Sequence, residues 1–167
     1  MRYFRYIAIV ILALLAACGG PQSKRESLSH TTPSTQRQGN VGPNDILFRA
    51  IGLVGTPYRW GGNDPQSGFD CSGLVVYVFR DVAGIQLPRT VQEISNIDEP
   101  AVHRNALVPG DLIFFNTEGR HLSHIGIYVG EGRFVHAPNE GGTVRLDRLD
   151  NRYWDAHYDS AKRIPLR

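Results

Sequence analysis

The apolar pattern of this chain changes period once, near Leu107, and that change limits the folds open to it. Before Leu107, hydrophobic residues recur three and four apart. After it, they come in short runs or alternate. "NDILFRAIGLVG" puts Ile46, Leu47, Ala50, Leu53 and Val54 on one stripe, with Asn44 placed to cap a helix and Gly55 to end it. In "CSGLVVYVFR", Leu74, Val75, Val78 and Phe79 repeat at helical spacing. They predict a helix from Cys71 to about Val82 that stops near Gly84. "RTVQEISN" carries Thr90 and Glu93 three apart, a capping box that opens a short third helix. Beyond Leu107, "LIFF", "HIGIYVG", "RFVHA", "TVRL" and "AKRIP" are strand-like runs between Gly, Pro and charged turns. Helices first and strands later predict an α+β fold, with N-terminal helices packed on an antiparallel β-sheet.

The N-terminus reads differently. "MRYFRY" is a basic lead, and "IAIVILALLAAC" is an apolar run that stops at Cys18. A membrane span needs about 20 apolar residues, so this run is too short and reads as a signal-peptide core. Leu15-Ala16-Ala17-Cys18 resembles the bacterial lipobox, in which the Cys is acylated and becomes the first residue of the mature chain. That resemblance implies a leader over 1–17, lipid (palmitate among the acyl groups) on Cys18, and a chain anchored to a membrane rather than spanning it. Gly19 rather than Asp follows the Cys. In a Gram-negative envelope this resembles sorting to the outer membrane, facing the periplasm.

Residues 18–42 then hold the lipidated Cys and a Ser-, Thr-, Gln- and Gly-rich tether with almost nothing to bury. Such a tether spans about 25–30 Å on average. Residues 43–167 make one domain, with no internal repeat.

The net charge of +2 is no argument for nucleic acid. Arg2 and Arg5 leave with the leader. Lys24, Arg25 and Arg37, set against Glu26, give the tether a positive balance, so the domain itself is slightly acidic.

The chain has two cysteines. If Cys18 carries lipid, Cys71 has no disulfide partner in an oxidising compartment, which makes it a candidate reactive thiol. It stands where a loop becomes a helix. A thiol attacks a carbonyl as thiolate, and both a helix N-terminus and a nearby imidazolium lower its pKa. On this reading the rate rises with a thiolate pKa well below 8.5 and falls as the imidazolium loses its proton.

The hairpin "HIGIYVGEGRFVHA" supplies imidazoles. With Gly130-Glu131-Gly132 as the loop, Val129 faces Arg133, Gly126 faces His136, and His124 lies diagonally across from His136. His124, Gly126, Tyr128, Phe134 and His136 then share one face; Ile125, Ile127, Val129 and Val135 share the other. His124 can serve as base to Cys71, and His136 can orient His124 as the third member of a triad. The N–H of Cys71 can donate to an oxyanion. A Cys with two His can also bind zinc, but no good fourth ligand stands nearby.

"GTPYRWGG", "GFDCSGLVVYVF", "LPRT", "LVPGDLIFF", "HIGIYVG" and "RFVHAP" together resemble, in order, the signature of the NlpC/p60 family of papain-like bacterial cell-wall cysteine peptidases. The resemblance covers nearly the whole domain. It implies a papain-like fold, with Cys71 as nucleophile, His124 as base and His136 as the third polar residue. It also implies a cysteine endopeptidase acting on peptidoglycan stem peptides or cross-links, next to D-Glu or D-Ala and diaminopimelate, through an acyl-enzyme and without a cofactor.

Tyr58 falls on a family position near the nucleophile, although packing between Pro57 and Trp60 explains it equally well. Asp70 and Ser72 resemble positions that contact the substrate's amine, although Asp70 can equally cap the helix. Trp60 is expected to pack beneath the site, His121 to lie in a loop, Asp111 to serve a turn, and Arg89 to be structural. Two other readings stay open: a non-catalytic peptidoglycan-binding module, or a papain-like amidase or acyltransferase with another substrate. The chain is expected to act as a monomer.

Overall fold

The computed structural model describes residues 41–117, 119, 121–139 and 141–166. The leader, Cys18 and the tether as far as residue 40 lie outside the described residues. Among the described residues, no helix is long and apolar enough to cross a membrane.

Helix α1 spans Pro43–Ile51. Its cap is Gly42, not Asn44, because Pro43 fixes φ at the first helical position and needs no N–H partner there. The Asp45 carboxylate takes the Gly42 N–H at 2.9 Å. The helix closes at Gly52, whose N–H reaches Phe48 O at 3.0 Å, so Gly55 (φ 94°) ends the following turn rather than the helix itself. A small hairpin follows, β1 (Asn63–Asp64) and β2 (Gly68–Phe69). Its turn is closed by Asp64 Oδ1, which accepts from the N–H groups of Gln66 and Ser67 at 2.9 and 2.8 Å.

Helix α2 runs Cys71–Ala83 and ends, as expected, at Gly84 in the left-handed region. Helix α3, Val91–Ser95, opens on the Thr90–Glu93 capping box. The buried stripe of α2 (Leu74, Val75, Val78, Phe79) meets Ile46 of α1, Ile94 of α3 and one face of the sheet in the main core.

The sheet has five antiparallel strands in the order β6-β5-β4-β3-β7. They are β3 (Leu112–Phe115), β4 (His124–Gly130), β5 (Arg133–His136), β6 (Arg145–Arg148) and β7 (Tyr158–Lys162). Leu112, Phe114, Ile125, Ile127 and Val135 face the helices. Ile113, Phe115 and Phe134 face the other way, against Leu149 and Trp154. Trp154 belongs to α4, Arg152–His157, a short helix capped by Asn151 that has no clear apolar repeat in the sequence. The α+β expectation, helices on an antiparallel sheet, describes this architecture.

The β4–β5 register agrees with the sequence reading over its inner part: Ile127 faces Val135 and Tyr128 faces Phe134. Towards the tip the register shifts, and Gly130 rather than Val129 pairs with Arg133. The irregularity is confined to the turn, so the faces of His124 and His136 are unaffected. Asp111 is fully buried beside β3. It accepts from the Val108 N–H at 2.8 Å and from Arg163 at 2.7 and 2.9 Å, so this turn residue also ties the C-terminal segment down.

Candidate active site

The start of α2 is built around Asp70. Its Oδ1 accepts from the Gly73 N–H at 2.7 Å, the N-cap bond, and its Oδ2 accepts from the Gly61 N–H at 2.9 Å. Arg89, carried in just ahead of α3, donates to both oxygens and also to Ser72 Oγ at 2.8 Å. Asp70 N–H in turn reaches Gly62 O at 3.1 Å. The loop lies so close to the helix that a Cβ on Gly73 would stand 2.0 Å from Gly62 O. Asp70, Ser72 and Arg89 thus form one hydrogen-bonded clamp that fixes the first turn of α2, and with it Cys71.

Cys71 is half-buried. Burial, followed by the adjacent Asp70 carboxylate, pushes its thiol up to about 11; the N–H groups of Ser72, Ile125 and Cys71 itself act against this. The helix start alone predicts a lowered pKa, and here desolvation outweighs it. The influence of the Ile125 N–H also locates the sulfur beside the start of β4, the strand against which α2 packs.

His124 opens β4 and is buried. Its Nε2 lies 2.9 Å from His136 Nδ1, with the rings perpendicular at 90°. Burial pushes His124 down to about 3, with the neighbouring His136 the next cause. The fully buried His136 lies on β5, and its Nε2 is 3.0 Å from Asp147 Oδ2 on β6. Burial lowers the His136 pKa, and the Asp147 contact works in the opposite direction. The hydrogen bond from His136, with help from Trp154 and Arg145, holds the Asp147 carboxyl far below the usual carboxylate range. Trp154 stacks on His124 at 5.5 Å between centroids, stands edge-on to His136 at 4.8 Å, and donates Nε1–H to Asp147 at 2.9 Å. Gly126 makes the crossing possible: a Cβ there would lie 2.6 Å from the Phe134 ring and 3.3 Å from His136 Cβ.

Cys71 and His124 line one cleft of about 560 Å³, together with Tyr58, Asp70, Ser72 and Arg89. The structure therefore brings Cys71, His124, Tyr58, Asp70 and Ser72 to one cleft, with His136 joined to it through His124. It also revises the reading of Trp60. Trp60 is not beneath the site; it stands at the cleft with 85% of its surface exposed. Arg89 is part of the clamp. His121 lies in an exposed turn at the cleft edge, 3.6 Å from Asp159. The sequence reading missed Asp147, Arg145 and Trp154. The run "TVRL" stops one residue short of Asp147; extending its alternation would have put Arg145 and Asp147 on one face. Among the described residues, no group of three or more His, Cys, Asp or Glu is arranged to hold a metal ion.

A thiol at a helix start, sharing a cleft with the first imidazole of a hydrogen-bonded pair on an antiparallel sheet, is the layout of a papain-like domain. Residues 55–163 match the NlpC/P60 family, and the chain belongs to that family. It is 44% identical over 113 residues to "Murein DD-endopeptidase MepH" of Escherichia coli (strain K12), a match that covers 66% of this chain and 42% of that protein. It is 42% identical over 166 residues to "Probable endopeptidase NlpC" of the same strain, covering 96% of this chain and 99% of that one. It therefore spans less than half of MepH but nearly all of NlpC. Among solved structures, the NlpC/p60 domain of the peptidoglycan hydrolase SagA is similar with a TM-score of 0.64 at 32% identity, covering 74% of this chain and all of that one.

Proposed function

We propose that this protein is a cysteine endopeptidase that hydrolyses amide bonds in peptidoglycan peptides, beside D-Glu or D-Ala and diaminopimelate. One observation carries the reading: His124, hydrogen-bonded to His136 behind it, shares a cleft with Cys71 at the start of α2. Relatives named as murein and peptidoglycan endopeptidases support the substrate class.

The chemistry follows from the geometry. As Cys71 Sγ bonds to the substrate carbonyl carbon, its proton passes to His124 Nδ1, the nitrogen not bonded to His136. Because desolvation penalises the charged form of each partner, neither charge is favoured alone, and a coupled transfer avoids forming a single one. The oxyanion is stabilised by the Cys71 N–H at the helix start. His124 returns the proton to the leaving amine as the C–N bond breaks. Water, giving a proton to His124, then adds to the thioester; the C–S bond breaks, the acid leaves, and His124 returns the proton to Cys71 Sγ. Tyr58 and Ser72 line the cleft wall, and we read them as contacts for the peptide.

Lipid on Cys18, removal of residues 1–17, and a position at the outer membrane facing the periplasm complete the proposal. Their support is the Leu15–Cys18 pattern and the polar segment that follows it.

Mass spectrometry of disaccharide-peptide wall fragments tests the reading, with the wild-type protein beside Cys71→Ala. New fragments from wild type alone are expected, and their masses name the bond. Intact fragments from both, with binding retained, would turn the assignment to a non-catalytic wall-binding module.

A further inference from the structure

Past His136, the structure continues the hydrogen-bonded chain to a group that no part of the proposed reaction yet uses. Asp147 Oδ2 meets His136 Nε2 at 3.0 Å, Trp154 Nε1 at 2.9 Å, and Arg145 at 2.9 Å from Nη2 and 3.1 Å from Nε. An indole N–H and a guanidinium can only donate. The atom they share must therefore be an acceptor, and His136 Nε2 must carry a hydrogen to bond it.

The remaining protons follow in sequence. In a neutral ring with Nε2–H, Nδ1 is a bare acceptor. His124 Nε2, 2.9 Å from that acceptor, must then be a donor. A neutral His124 with its hydrogen on Nε2 has a lone pair on Nδ1. Both rings are buried and their pKa values are lowered, so the neutral forms are the resting ones.

We infer that Asp147 is a positioning residue of this site: its Oδ2, fixed as an acceptor by Arg145 and Trp154, sets the tautomers of His136 and His124 so that His124 offers a bare Nδ1 to Cys71. Once His124 has taken the thiol proton, the same chain carries a negative charge towards the new imidazolium, with His136 as the polarised link. Trp154 has a double part, since its ring stacks on His124 while its N–H holds Asp147. The inference rests on the reading of His124 as the base for Cys71, but not on the identity of the substrate.

The test is long-range ¹H–¹⁵N NMR of the histidine-labelled full chain near neutral pH, with the alkylation rate of Cys71 by iodoacetamide read by peptide mass spectrometry. In wild type, both rings are expected to be neutral and protonated on Nε2. Asp147→Asn keeps an oxygen that Arg145 and Trp154 can hold, so the tautomers stay while the charge is lost. Its kcat on wall fragments falls about tenfold with KM unchanged, the difference between a charged and a neutral acceptor. Asp147→Leu removes the acceptor, so His124 spreads over both tautomers, and alkylation slows with kcat by more than in the Asn variant. A wild-type His124 protonated on Nδ1 overturns the inference. So does a folded Leu variant with unchanged tautomers and unchanged alkylation. If the Leu variant does not fold, the wild-type spectrum and the Asn variant decide. Tautomer and alkylation need no substrate, so a failure of the wall-peptide reading leaves them untouched and separately readable.

Discussion

Arg89 grips Asp70 through both terminal guanidinium nitrogens, Nη1 to Oδ1 at 3.0 Å and Nη2 to Oδ2 at 2.6 Å. Because Arg89 is well over a third exposed, the ion pair itself adds little to stability. The larger loss on removing Asp70 is the cap on Gly73 and the bond to the Gly61 N–H. Asp70→Ala is therefore expected to cost about 2–3 kcal/mol, from one cap and one further hydrogen bond. Arg89→Ala is expected to cost about 1 kcal/mol or less. Urea denaturation of both variants checks the order, and equal costs would contradict it.

The pH profile follows from two opposed shifts. At rest, Cys71 Sγ and His124 Nδ1 hold one proton between them, beside the fixed hydrogen on His124 Nε2. Adding a second needs an imidazolium, and burial resists it, with His124 down to about 3. Removing the last one leaves a thiolate, and burial resists that too, with Cys71 up to about 11. The active form fills the interval between. We expect kcat/KM to be flat from about pH 5 to about pH 9, falling below as the pair gains a proton and above as it loses one. A limb centred at the ordinary histidine or cysteine value would show that the site is open to water.

Gly126→Ala probes the space between β4 and β5. The new methyl meets the Phe134 ring at 2.6 Å and Val135 O at 3.1 Å. The ring has little room to retreat, because Phe115, His136 and Trp154 surround it at 4.8–5.2 Å between centroids. We expect a stability loss of about 1–3 kcal/mol. We also expect a fall in kcat larger than the unfolded fraction explains, because His136 is pushed off His124. Denaturation curves and kinetics on one preparation separate the two.

Arg163→Ala leaves the Asp111 carboxylate buried and without its cation. Because the Arg side chain is half-exposed, the loss is expected to be about 2 kcal/mol, below that of a fully buried pair. Thermal melts of wild type and variant, with denaturation curves for the free-energy difference, test the statement.

Much of this fold is legible because its signals are local. Gly84 after an apolar stripe, Thr90 with Glu93, and the alternation from His124 to His136 each fix an element without help from distant residues. The inner hairpin register could be read because a one-residue slip would have buried the wrong face. Legibility fails where the decision is tertiary. Asn44 is a good cap in isolation, but Pro43 starts the helix ahead of it. Trp154 sits in a helix too short to show a period. The raised thiol of Cys71 depends on burial, which no motif encodes. Asp147 was within reach and was lost because its strand was read two residues too short, to Leu146 rather than Arg148.

The links of the proposed relay run across the sheet rather than along any strand. His124 is on β4, His136 on β5 and Asp147 on β6, and His136 faces Arg145, two residues before Asp147. Each strand contributes one member, and all of them must point to the same side. A slip of one residue in either pairing turns a member over to the far face. The relay thus acts as an interlock on assembly: the register that buries the apolar face is the one that aligns the three members, so a chain whose strands pair out of step loses both together.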